Sequence, residues 1–201
     1  IDYKYEIENF DGYYKFKSGL FENPYYKINF RINSNGFRGI NYDKKSDHIR
    51  IGAFGGSSVL GIESIYEETW PNILEKKLNI NSDQYKVFNF GQSGYTLSNI
   101  IALLEKEVAD YDLDYIIYYG GYNEYSYNHL ERYPGFKLYP NIKQFYYYFI
   151  HSKLYQFQIL LEKIFNLRIF YLEDKLNNFN KLYELNLVKL ANICKENNIE
   201  L

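Results

Sequence analysis

Three short apolar runs, each ending in a glycine-bearing polar loop, constrain this chain more than any other feature. Ile49-Arg50-Ile51-Gly52-Ala53-Phe54 runs into Gly55-Gly56-Ser57-Ser58. Tyr85-Lys86-Val87-Phe88-Asn89-Phe90 ends in Gly91-Gln92-Ser93-Gly94, and Tyr115-Ile116-Ile117-Tyr118-Tyr119 ends in Gly120-Gly121-Tyr122-Asn123. Runs this short suit strands better than helices, and near-continuous apolar character suits strands buried on both faces. Helical patterns separate them. Thr69 is a good N-cap, Pro71 sits in a first turn, and Ile73, Leu74 and Leu78 form a stripe. Leu97 to Ala109 carries Ile100, Ile101, Leu104 and Val108 at helical spacing. The alternation predicts an α/β domain with a central parallel sheet.

The flanks read differently. Residues 1–48 form an aromatic-rich extension with a hairpin signal: Tyr26 to Asn33 is extended and Asn35-Gly36 is a turn dipeptide. Residues 49–201 form the α/β domain. After Asn123, helical spacing returns in Ile142 to Phe165 and in Tyr171 to Asn197. The second stretch includes Leu182, Leu185, Val188, Leu190 and Ile193, and Asn197-Asn198 is its stop. Ile199-Glu200-Leu201 opens a fourth strand.

Composition excludes several function classes. The net charge of −2, with both signs mixed along the chain, gives no field to hold a nucleic-acid backbone. No apolar run reaches the roughly 18 residues of a membrane span. Cys194, the single cysteine, reads as a small buried residue on a helix. No cofactor and no metal is expected. The chain begins at Ile1 and contains no Met, so the expectation is a missing natural N-terminus. That leaves an extracytoplasmic bacterial location open.

In an open parallel sheet, ligands bind beyond the carboxyl ends of the strands, where all three glycine loops should lie. Glycine lets backbone N–H groups approach a ligand without an intervening Cβ. The first loop lacks the lysine and the spacing of a Walker loop and is not GxGxxG, so a nucleotide-binding domain is the weaker reading. A serine at a strand-to-helix turn, near the positive end of a helix, suits a nucleophile.

Here the sequence resembles a family. Gly55-Gly56-Ser57-Ser58-Val59-Leu60-Gly61 is similar to the first block of the SGNH (GDSL-like) hydrolases, usually written GDSxTxG. Asn89-Phe90-Gly91-Gln92-Ser93-Gly94 resembles the second block, NxGxxG, and Gly121-Tyr122-Asn123-Glu124 the third, GxND. Arg31-Ile32-Asn33-Ser34-Asn35-Gly36-Phe37-Arg38-Gly39 resembles a lead-in of some bacterial members. The resemblance covers roughly residues 49 to 201. It implies a three-layer sandwich with a central parallel sheet, the flavodoxin-like SGNH architecture, incomplete at the C-terminus.

The resemblance also implies roles. Ser57 is the nucleophile toward an ester carbonyl, with Ser58 as its rival. The backbone N–H groups of Ser57 and Gly94 and the side-chain amide of Asn123 are the oxyanion donors. The substrate is a small-molecule, carbohydrate or lipid ester. An acyltransferase, or a non-catalytic binding module on the same fold, is the alternative. Gly56 replaces the usual Asp, Val59 the usual Thr, and Glu124 the usual Asp. The larger departure is the base. The family takes its His from a DxxH segment, and His48, His129 and His151 all lack Asp three residues before them. The expectation is therefore a fragment that stops before DxxH. At about 3.3 Å per residue, the first strand holds His48 more than ~15 Å from Ser57. His129 follows Asn123 on the active-site side, His151 falls in a helical stretch, and the Tyr-rich segment Tyr125 to Tyr148 is the candidate cap over the pocket.

Overall fold

The computed structural model describes residues 7–23, 27–41, 47–124 and 171–201. The chain forms two compact units. One comprises Asp2–Tyr125 with Tyr183–Leu201; the other comprises Ile1 with Ser126–Leu182, of which residues 171–182 are described, as helix. The expectations for Ile142 to Phe165, for the Tyr125 to Tyr148 cap, and for His129 and His151 lie outside the described residues.

The first unit is built on a parallel sheet in the order β6-β5-β7. β5 (Ile49–Gly55) is central, with β6 (Tyr85–Asn89) and β7 (Tyr115–Tyr119) on its two sides. These are the three apolar runs of the sequence, shifted by at most one residue at an end. The protein is thus α/β with a three-stranded parallel sheet.

The pleat sends alternate residues to opposite faces. Ile51, Ala53, Val87 and Ile117 pack with Trp70, Leu74 and Leu78 of α2 (Trp70–Leu78). Phe54, Phe88, Phe90 and Ile116 pack into a second cluster. Its helical members come from α3 (Leu97–Leu103) and from α4 (Tyr171–Glu196). Helices therefore cover both faces, which is why the strands read as apolar on both sides. Phe90 is the hub of the larger cluster. It stacks on Phe54 with ring centroids 4.8 Å apart and meets Phe37 and Tyr111 edge-on at 4.8 and 5.1 Å.

Several helical expectations need correction. Thr69 occupies the N-cap of α2, but its hydroxyl donates backward to the Tyr66 carbonyl at 2.8 Å and caps no helical N–H. Ile73 of the expected α2 stripe is exposed. The helix beginning at Leu97 is α-helical only to Leu103, then widens into a π turn over Leu104–Val108 and tightens to 3₁₀ over Ala109–Tyr111. In α4 the packed residues are Tyr183, Leu187, Leu190, Ile193 and Cys194, so Leu190 and Ile193 of the expected stripe lie on the packed face. Leu182, Leu185 and Val188 are exposed. A 3.6-residue turn cannot bury both sets against one sheet. Cys194 is a free thiol buried on that packed face.

After α4, Asn198 adopts the left-handed conformation (φ 55°), as in a helix stop. Glu200 then forms a parallel bridge to Tyr115, with Ile116 N–H donating to its carbonyl at 2.7 Å. The expected fourth extended segment therefore lies beside β7.

Residues before Ile49 supply two antiparallel hairpins, β1 (Ile7–Phe10) with β2 (Tyr13–Phe16) and β3 (Gly19–Asn23) with β4 (Ile28–Ile32). Asn33 shapes the turn that follows. Its Oδ1 accepts the N–H groups of Asn35 and Phe37, both at 3.0 Å, while its Nδ2 donates to the Ile40 carbonyl. Such side-chain mimicry of a backbone turn is what Asn does well. The turn delivers Arg38, fully buried, between Ile32 and Asn89 of β6. Its guanidinium lies 3.6 Å from the centre of the Phe30 ring and donates to the Ser64 carbonyl at 2.7 Å.

One pH response follows from this core. Burial raises the Tyr111 phenol from 10.0 to about 12, against a smaller opposing pull from the Asn35 hydrogen bond. The unfolded chain ionises first, so this contribution is fully present below pH 10 and is lost as pH climbs from 10 toward 12. Urea midpoints measured across that window are expected to fall, and a Tyr111→Phe variant should show a shallower decline.

Candidate functional site

The strand order brings the three glycine loops together. From β5 the chain moves to β6 on one side and then crosses to β7 on the other. The strand order therefore reverses between β5 and β7, and in open parallel sheets ligands bind beyond the carboxyl ends of the strands at such a reversal.

Ser57 is the first residue of α1 (Ser57–Leu60), immediately after Gly55 and Gly56. A first-turn N–H has no carbonyl four residues back within its helix, so the Ser57 N–H points outward from the helix end. Ser57 is half-buried; Ser58 is exposed. Close approach explains the glycines. A Cβ on Gly55 would collide with the Tyr119 carbonyl, and one on Gly91 would collide with the Leu60 backbone nitrogen. The strand ends and α1 are therefore in direct backbone contact.

Asn123 reaches into this junction. A Cβ on Gly56 would lie 2.6 Å from Asn123 Nδ2. With consecutive Cα atoms 3.8 Å apart, that keeps the amide within about 8 Å of the Ser57 Cα. Asn123 Nδ2 donates to the Tyr95 carbonyl at 2.7 Å. Tyr95 directly follows Gly94, which takes the left-handed conformation (φ 74°) that glycine supplies cheaply. Ser57, Gly94 and Asn123 therefore meet where the three loops meet. A primary amide has two N–H groups, so Asn123 can hold Tyr95 with one and direct the other at a ligand.

The base is not among these groups. His48, the one histidine among the described residues, precedes β5 at the amino end of the strand. The whole seven-residue strand separates it from Ser57.

Sequence reasoning missed three contributors. Glu124 accepts the N–H of Leu97 and, at 3.1 Å, that of Gly121. Tyr118 and Tyr183 place their hydroxyls 3.2 Å apart beside it. Burial, then the Tyr183 hydrogen bond and the adjacent Glu124 charge, push the Tyr118 phenol well above its ordinary value. The signal for Glu124 was present as an acid three residues after a glycine at a helical turn. Nothing local marks Tyr183. No helix among the described residues is long and apolar enough to cross a membrane. No family model matches the chain, and no curated protein matches it.

Proposed function

We propose that the chain carries the nucleophile and oxyanion elements of an SGNH-class serine ester hydrolase acting through an acyl-enzyme. The observation that carries this reading is the Asn123 amide, seated against Gly56 while bonded to Tyr95. In the proposed step Ser57 Oγ adds to the ester carbonyl carbon and its proton passes to a base. The carbonyl π pair moves onto oxygen, where the Ser57 and Gly94 N–H groups and the Asn123 amide receive it. Collapse expels the alcohol, which takes up a proton, and water then releases the acid from Ser57. Donors aimed at developing charge contribute most in such chemistry, each about 3 kcal/mol. An ester of a carbohydrate or lipid is the substrate class carried from the sequence. Transfer to an acceptor other than water would make the same intermediate serve an acyltransferase. The position of His48 favours a second reading, a binding module that uses the pocket without turnover.

Chemical rescue separates them. Without a base a serine hydroxyl is a poor nucleophile. Hydrolysis of p-nitrophenyl acetate by this chain alone is therefore expected to be slight. Added imidazole should produce a rate increment that disappears in Ser57→Ala and survives in Ser58→Ala. No Ser57-dependent increment, with or without imidazole, would leave the binding module as the surviving reading. Appreciable hydrolysis without imidazole, lost in Ser57→Ala, would place a base outside the described residues, and His129→Ala would be the next variant.

A further inference from the structure

Asn123 lies in helical residues 122–124, which follow Gly121 with its φ of 106°. Three residues after Gly121, the Glu124 carboxylate folds back, and its Oε2 accepts the Gly121 N–H at 3.1 Å. This is the reach-back half of a capping box. Its other oxygen, Oε1, accepts the N–H of Leu97, the first residue of α3, where no intrahelical acceptor exists. That oxygen also lies 3.5 Å from the Tyr118 hydroxyl. One carboxylate therefore joins the turn bearing Asn123 to the segment bearing Tyr95. Between the two anchor points runs the Asn123 hydrogen bond to the Tyr95 carbonyl. The path Tyr95, Thr96, Leu97, Glu124, Asn123 and back to Tyr95 is a closed ring of covalent and hydrogen bonds. The ring holds the backbone of Asn123 at a fixed reach from the Tyr95 carbonyl.

We propose that Glu124 is the positioning residue of the site, a single side chain that clamps the third loop to the second and fixes where the Asn123 amide points. This rests on the reading of Asn123 as an oxyanion donor, but the clamp itself can be measured without turnover. Both carboxylate oxygens are used, each on a different loop, and the substitutions should rank accordingly. Glu124→Gln keeps the length but offers one acceptor oxygen. Glu124→Asp keeps both oxygens but is one methylene short of spanning the loops. Glu124→Ala leaves two backbone N–H groups without acceptors.

The test is exchange of the Asn123 side-chain amide protons, followed by NMR in the whole chain, with β5 backbone amides as the reference for folding. In Glu124→Ala, protection of the Asn123 amide is expected to fall about ten-fold or more, the scale of losing a hydrogen bond to a charged group. Gln should fall between Ala and the parent, and β5 protection should be retained. Should Glu124→Ala lose β5 protection as well, Glu124→Gln decides: an unchanged Asn123 amide in a folded Gln variant overturns the proposal. Unchanged Asn123 protection in a folded Ala variant overturns it too. A double-mutant cycle reads the function separately. If Glu124 acts through Asn123, then in an Asn123→Ala background Glu124→Ala has no further effect on the imidazole-rescued rate, whereas a general structural role gives additive losses. Absence of any Ser57-dependent rate removes the hydrolase reading alone and leaves the clamp to the amide measurement.

Discussion

Phe90→Ala is expected to destabilise the protein by about 3–5 kcal/mol, the range for truncating a fully buried aromatic ring. Phe90 is 1% exposed and touches four rings: Phe37 before the sheet, Phe54 on β5, Phe88 of its own β6 run and Tyr111 after α3. Four ring faces cannot collapse together into the space one ring leaves, so most of the cavity should persist. Domains of this size are stable by only about 5–15 kcal/mol, which makes this loss a large share of the total. Urea titration is the measurement, with the midpoint falling and the slope unchanged. Phe10 stacks on Tyr13 with centroids 4.9 Å apart but is 40% exposed, and Phe10→Ala should cost far less. Equal losses at the two positions would show that Phe90 is not the hub.

Gly91→Ala should strike both stability and chemistry. The added methyl would collide with the Leu60 backbone nitrogen and lie 2.7 Å from the Val59 carbonyl carbon. These are backbone atoms of α1, so no side chain can rotate aside; either α1 or the loop after β6 must move. Overpacking of this kind typically costs about 1–3 kcal/mol. Because α1 begins with Ser57, the displacement also moves the proposed nucleophile relative to Asn123. The expected result is a lower urea midpoint together with loss of the imidazole-rescued, Ser57-dependent rate. A variant destabilised but undiminished in that rate would show that the position of α1 is not critical. Gly56→Ala is the informative neighbour, since its methyl meets the end of the Asn123 side chain at 2.6 Å and should disturb the site more than the fold.

The sheet was legible because burial on both faces writes itself as unbroken apolar runs, and the glycines at their ends marked the turns. The first hairpin is legible in the sequence too. Asp11-Gly12, between Phe10 and Tyr13, is the two-residue turn dipeptide of a hairpin, and Gly12 takes the φ of 85° that such a turn requires. Arg38 and Arg50 were not legible as core residues. What makes their burial tolerable includes the rings of Phe30 and Phe88, and a cation's ring partner is set by tertiary packing rather than by neighbours in sequence. In α4 the expected stripe is only partly the packed one: Leu190 and Ile193 pack, Leu185 and Val188 are exposed, and the sheet decides between apolar residues that spacing alone leaves equivalent. At the site, Ser57, Gly94 and Asn123 could be singled out because each sits in a glycine loop. Glu124 was noticed only as a departure from a pattern. Its role depends on Leu97, 27 residues away, which no local rule connects to it.

The hairpin β1–β2 reaches the site through one residue. Tyr14 N–H donates to the Tyr95 hydroxyl at 3.1 Å, and that hydroxyl donates to the Tyr14 carbonyl, across 81 positions of chain. A two-stranded ribbon with four-residue strands is not stable alone. It is held by such contacts, with Tyr13 and Lys15 on Glu107 and Lys106 on Asp11. Its Tyr13 and Phe16 are also buried core residues, so the ribbon is bound to the rest of the unit by apolar packing as well. Through the Tyr95 hydroxyl the ribbon braces the ring of the residue whose backbone carbonyl holds Asn123. Residues 7–16, remote in sequence from the glycine loops, thus act as an outer brace on the segment that follows Gly94.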